Sequence, residues 1–88
     1  MVATPGALEA LERVGQTPWH LVSLHAAGTW GVVGAEDSEA NNEALKDGSR
    51  LLSAYILKDG ETKIWIITEA EDENGNRAAT TLLLPDEY

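Results

Sequence analysis

Three β-rich segments separated by two tight-turn signals constrain the fold of this chain more than any other feature. Asp59-Gly60 and Asn74-Gly75 are dipeptides that favour two-residue hairpin turns. The segments that they separate are rich in Leu, Ile, Tyr, Trp and Thr, a composition typical of strands. They cover residues 51–57, 63–69 and 78–84. We therefore predict a three-stranded antiparallel meander in the second half of the chain.

The first half carries start and stop signals for three helices. Thr4-Pro5 and Thr17-Pro18 each supply an N-cap residue followed by a proline suited to the first helical position. The third helical segment is polar and acidic in its first turn, and Gly48 ends it. The predicted helices cover about 5–14, 18–27 and 36–47. Helices followed by strands predict an α+β fold, in which N-terminal helices pack on the meander and residues 1–88 form a single domain.

The central predicted strand is apolar on both faces. Ile64 and Ile66 alternate with Trp65 and Ile67, so each side of the sheet receives large side chains. The helices can cover one face, and a homodimer or a partner surface is one way to cover the other. The alternative is a short sheet that wraps around the helices and leaves Trp65 half-buried.

The acidity of the chain narrows its choice of partners. The 88 residues contain 15 Asp and Glu against 6 Lys and Arg, for a formal net charge of -9. Such a surface repels polyanions, so we do not expect direct binding of nucleic acid. It attracts basic partners and speeds encounter with them, although it also serves simply to keep a small domain soluble.

Metal, cofactor and membrane functions find no support in the sequence. There is no cysteine, and His20 and His25 are the two histidines, so we expect no structural zinc site. Nucleotide-binding glycine motifs and nucleophile elbows are absent, and we expect no cofactor. Without a leader pattern or a long apolar run, we expect a cytoplasmic protein.

Candidate binding residues lie in a hairpin tip and at two tryptophans. The acidic run departs from the ligand pattern of a calcium loop, which predicts a solvated tip. Trp30 sits in a glycine-framed connector, and Trp65 lies in the central strand. The candidate contact residues are Trp30, Trp65, Glu69, Glu71, Asp72 and Glu73.

One constellation has the residue types needed for phosphodiester cleavage. His25 precedes the Trp30 connector, and Arg50 and Arg77 flank the predicted strands. A histidine with two arginines could serve as a ribonuclease site. The alternative is that His25 is a packed or capping histidine.

Motifs over nearly the whole chain carry a family resemblance. They are Ala3–Leu11, His25 with Gly28-x-Trp30-Gly31, Arg50–Tyr55, Asp59-Gly60, Lys63–Ala70, Thr80–Pro85 and Glu87-Tyr88. On these motifs the chain resembles a family of small uncharacterised bacterial proteins, some labelled plasmid-related, from genomes rich in mobile elements. The family has Asp where Thr29 stands and a shorter link between Ala70 and Arg77. The resemblance implies a shared fold and a mobile-element setting, and it implies no activity.

These observations favour a non-enzymatic protein-binding module linked to mobile elements. We expect an inhibitor that mimics nucleic-acid charge and binds a basic nucleic-acid-handling protein. One alternative is a small ribonuclease-like toxin that uses His25, Arg50 and Arg77, by analogy of fold alone. The other is a self-associating structural protein that uses Trp65 and the open sheet face.

Overall fold

The structure, a computed structural model, describes residues 1–88 as three helices and one four-stranded sheet. The helices are α1 (Pro5–Val14), α2 (Pro18–Ala26) and α3 (Ala35–Asp47). The strands are β1 (Val2–Ala3), β2 (Leu51–Ile56), β3 (Lys63–Thr68) and β4 (Thr80–Leu83), and a short 3-10 helix at Pro85–Glu87 follows. The predicted α+β class with three helices is confirmed. None of these helices combines the length and the apolar composition required to cross a membrane.

The sheet differs from the predicted three-stranded meander. Its strand order is β1-β4-β3-β2, with β3 antiparallel to both β2 and β4 and with β1 parallel to β4. The antiparallel meander is therefore one part of a mixed, four-stranded sheet. The first strand contains two residues, Val2 paired with Thr81 and Ala3 paired with Leu82. A segment this short has no alternation pattern by which the sequence could reveal it.

The helix starts follow the Thr-Pro signals. The Thr4 hydroxyl accepts a hydrogen bond from the backbone N–H of Ala7 at 3.2 Å, and the Thr17 hydroxyl accepts one from that of His20 at 3.4 Å. Each satisfies one of the N–H groups that a helix start leaves unpaired. The third helix has no side-chain cap, and Glu36 and Asp37 in its first turn complement the helix dipole instead.

The main core lies between the sheet and the first two helices. The helices contribute apolar side chains that meet alternate residues of the strands. This cluster consists of Ala7, Ala10, Leu11, Leu21, Tyr55, Leu57, Ile64, Ile66 and Leu82. A second, smaller cluster of Trp30, Ala44 and Leu51 packs α3 against β2.

The opposite sheet face is apolar and partly covered by the end of the chain. Ile67 and Leu83 are each 6% exposed there, and Trp65 is half-buried. The ring of Tyr88 meets that of Trp65 edge-on at 5.8 Å, and the Tyr88 hydroxyl accepts a hydrogen bond from Arg50 at 2.7 Å. The half-buried Trp65 agrees with the alternative in which a short sheet wraps around the helices and no second copy is needed. A homodimer remains a prediction.

The outer edge of β2 is closed without another strand. The Asn41 side chain donates to the carbonyl of Leu52 at 2.6 Å and accepts from its N–H at 2.9 Å. Further along, Ala54 donates to the Trp30 carbonyl at 3.1 Å and accepts from Val32 at 2.8 Å. These contacts satisfy backbone groups that an edge strand would otherwise offer to another chain.

We predict that Gly31→Ala destabilises the protein more than Gly75→Ala does. Both glycines have φ of +79°, but a Cβ at Gly31 would overlap the carbonyl oxygen of Ala54, whereas one at Gly75 meets nothing within 4 Å. Since both changes carry the same left-handed strain, their difference isolates the clash. We expect Gly31→Ala to lose about 1–3 kcal/mol more free energy of unfolding in urea denaturation. Equal losses would show that the approach of Gly31 to β2 is not a constraint.

Candidate functional site

The ribonuclease candidate His25 lies in the interior between α2 and the sheet. It is 6% exposed, and its Nδ1 pairs with the hydroxyl of Ser53 on β2. Its Nε2 lies 2.8 Å from the hydroxyl of Thr68 on β3, which in turn lies 2.9 Å from the hydroxyl of Thr80 on β4. Polar side chains therefore link α2 to three consecutive strands.

This network suits a neutral, inaccessible imidazole. Burial, and to a smaller extent the positive charge of Arg77, lowers the pKa of His25 below its usual 6.5. A neutral imidazole has one donor and one acceptor nitrogen, and hydroxyl partners can fill either role. Ser53 is 0% exposed, so this serine–histidine pair offers a substrate no access. The geometry supports the packed-histidine interpretation of His25.

Trp30 belongs to the same interior. It is 5% exposed, and its ring meets that of His25 edge-on at 5.6 Å. Its indole N–H donates to Asn42 on α3 at 3.3 Å. Trp30 thus anchors the connector in the core and presents no surface for a partner, in contrast to its predicted place among the contact residues.

Arg77 ties the end of α3 to the strand loops. Its guanidinium donates to the carbonyls of Ser49 at 2.8 Å, Glu69 at 2.9 Å and Ala44 at 3.2 Å. The Ala44 carbonyl lies in the last turn of α3 and also accepts from the N–H of Gly48 at 2.9 Å. Arg50 is occupied differently, since it donates to Tyr88 on the other sheet face. The structure therefore does not bring the ribonuclease candidates together around an open site.

The acidic groups of α3 form an exposed stripe. Glu36, Glu39 and Glu43 are spaced by three and four residues, which places them on one side of the helix. Asp37 and Asp47 lie at the two ends of the helix and are also exposed. Their spacing in the sequence is the signal that could have revealed this stripe, which was not among the predicted contact residues.

The acidic hairpin tip adjoins the end of α3. The N–H of Glu71 donates to the carbonyl of Gly48 at 2.7 Å, and the Glu71 side chain lies against Gly48. Asp72 organises the turn itself, because it accepts from the N–H groups of Asn74 at 2.8 Å and Asn76 at 3.0 Å. We call the combined surface the acidic face. Its residues are Glu36, Asp37, Glu39, Glu43, Asp47, Glu71, Asp72 and Glu73.

The remaining candidates lie outside the acidic face. Glu69 follows β3 and, by strand alternation, lies on the side of Trp65 and Ile67. Trp65 is itself covered in part by Tyr88. No group of three or more His, Asp and Glu side chains is arranged to hold a metal ion.

Comparisons with protein-family models, curated proteins and solved structures found no match. The resemblance to plasmid-related bacterial proteins therefore stays a prediction. The functional argument accordingly depends on the geometry of the acidic face.

We predict that stability falls as the pH is lowered below 6.5, because unfolded His25 takes up a proton that the folded protein resists. The stabilisation is fully present above that pH and declines toward the lowered folded pKa, by at most about 1.4 kcal/mol per pH unit. Urea denaturation between neutral pH and the onset of carboxylate titration measures it. His25→Gln should remove this slope, while His20→Gln, at an exposed position, should retain it. A slope that survives His25→Gln would assign the effect to other groups.

We also predict that Arg77→Lys lowers the free energy of unfolding by about 1–3 kcal/mol. A lysine keeps the charge but cannot reach three carbonyls that converge on a planar guanidinium. Arg13→Lys, at an exposed position on α1, is the matched control and should change stability little. Thermal and urea denaturation of both variants test the difference. Unchanged stability in Arg77→Lys would contradict a structural role for these bonds.

Proposed function

We propose that this protein is a non-enzymatic acidic module that binds a basic nucleic-acid-handling protein and occupies its nucleic-acid cleft. The observation that carries the proposal is the acidic face, on which α3 and the tip beside Gly48 present carboxylates on adjoining surfaces. A bacterial cytoplasm containing mobile elements is the setting that we propose, in line with the family resemblance.

The spacing of charge along α3 supports mimicry of nucleic acid. Thirteen residues extend over about 20 Å at 1.5 Å per residue. The five acidic residues of the helix, less the positive charge of Lys46, therefore leave about one net negative charge per 5 Å. A single nucleic-acid strand carries about one per 3.4 Å. A cleft lined with lysine and arginine would therefore meet negative charge on both, with α3 at about two-thirds of the linear density of a strand.

Most of the acidic face keeps its charge available to a partner. Two ion pairs involve it, Lys46 with Glu43 and Arg77 with Glu71, each at 3.8 Å. Both side chains of the Lys46–Glu43 pair are highly exposed, so this pair competes weakly with the cations of a partner. The other carboxylates have no ion pair and remain free to attract basic groups.

Capture from a nuclease-treated bacterial lysate, followed by competition, tests this proposal. We expect a basic nucleic-acid-binding protein to be retained at low salt, released at high salt, and displaced by added DNA or RNA. A partner that nucleic acid does not displace would overturn the mimicry.

Matched charge variants test the site itself. The triple variant Glu36→Gln, Glu39→Gln, Glu43→Gln should weaken binding of the captured partner by about tenfold or more. The control Glu9→Gln, Glu12→Gln, Glu61→Gln removes the same charge from exposed positions elsewhere and should bind nearly as tightly as the wild type. Equal weakening by both triples would indicate a general charge effect and contradict a role for the acidic face.

A further inference from the structure

A surface pocket lies where the α1–α2 link approaches the end of β2. It has a volume of about 390 Å³ and is lined by five residues, none of them hydrophobic. They are Gly15, Gln16, Thr17, His20 and Lys58. The pocket shares no residue with the acidic face. Its volume falls within the range of small-molecule sites, about 300–1,000 Å³.

The lining side chains offer hydrogen-bond donors that the fold leaves unused. Gln16 accepts from the N–H of Lys58 at 2.7 Å through its Oε1, which orients the amide and leaves its Nε2 free. Thr17 uses its oxygen to accept from the N–H of His20 at 3.4 Å, so its hydroxyl hydrogen remains available. The ammonium group of Lys58 takes part in neither ion pair of the molecule.

Asp59, the acidic residue next to this pocket, makes its hydrogen bonds within the hairpin turn. Asp59 accepts from the N–H groups of Glu61 at 3.0 Å and Thr62 at 2.9 Å, and also from the Thr62 hydroxyl. Its carboxylate thus serves the hairpin turn rather than Lys58. Arg13 is close enough to act on Asp59 electrostatically.

We infer that this pocket binds a small phosphate ester. An ammonium, an amide N–H, a hydroxyl and an imidazole belong to the side chains that line it. A phosphate group has three acceptor oxygens for such donors, whereas a carboxylate has two. The volume leaves room for an organic group beyond the phosphate. A nucleic-acid polymer does not fit this assignment, because a chain with a net charge of -9 repels it.

Amide NMR titrations with phenyl phosphate, inorganic phosphate and acetate at constant ionic strength test the inference. We expect phenyl phosphate to shift the amide signals of Gln16, Thr17, His20 and Lys58 saturably. Weaker binding of inorganic phosphate would show that the organic group contributes, and tighter binding would overturn the assignment to an ester. Acetate should produce no saturable shift. Absence of a saturable response to phenyl phosphate, or an equal response to acetate, would also overturn it.

Two charge-matched variants locate the site. Lys58→Gln should raise the Kd for phenyl phosphate about tenfold, since it removes a charge-assisted hydrogen bond. Lys63→Gln removes the same charge from the other arm of the hairpin and should leave the Kd unchanged. Both lysines are exposed, so both variants should fold. Equal weakening by the two variants would show that phosphate responds to overall charge and would overturn the pocket assignment.

Discussion

The outer backbone of β2 requires hydrogen-bond partners, and much of the first half of the chain is arranged to supply them. The Asn41 side chain bonds to both the N–H and the carbonyl of Leu52, as a neighbouring strand would. The backbones of the connector residues Trp30 and Val32 bond to that of Ala54. Holding α3 at this edge brings Ala44 onto Leu51 and places the last turn of the helix within reach of Arg77. The position of the acidic face is therefore a consequence of how the sheet edge is closed.

A buried polar network performs a second structural task. Because side chains alternate across a strand, a one-residue slip of β2 or β3 would move Ser53 or Thr68 to the opposite face. His25 would then lose a partner in a site that excludes water, at a cost of about 1–3 kcal/mol. The residues that looked most like catalytic groups thus help to define the register of the sheet.

Local signals predicted the helices and the hairpins, and long-range contacts determined the rest. Thr-Pro starts and the positions of the two hairpin turns depend on a few neighbouring residues, so the sequence revealed them. The predicted two-residue turns were wrong in length, because Leu57 pairs with Thr62 across four residues and Asp72 with Asn76 across three, and Asp59 and Asn74 do not adopt the positive φ that a two-residue turn requires. Arg77 was a reasonable catalytic candidate, but its partners are carbonyls of Ala44 and Ser49, distant in sequence. Trp30 could not be recognised as core because its burial depends on α3 and His25. The acidic face likewise requires the contact of Glu71 with Gly48, which no spacing encodes.

The contact between the first and last strands of the sheet has a consequence for local unfolding. The first strand pairs with the last, and the Thr4 hydroxyl donates to Glu87, 83 residues away, at 2.6 Å. Closing so long a loop carries a larger entropy cost than forming the hairpins, and two residue pairs offer little to offset it. Among the hydrogen-bonded amides of the sheet, exchange should therefore be fastest between β1 and β4. The two-residue strand β1 thus holds the start of α1 against the sheet.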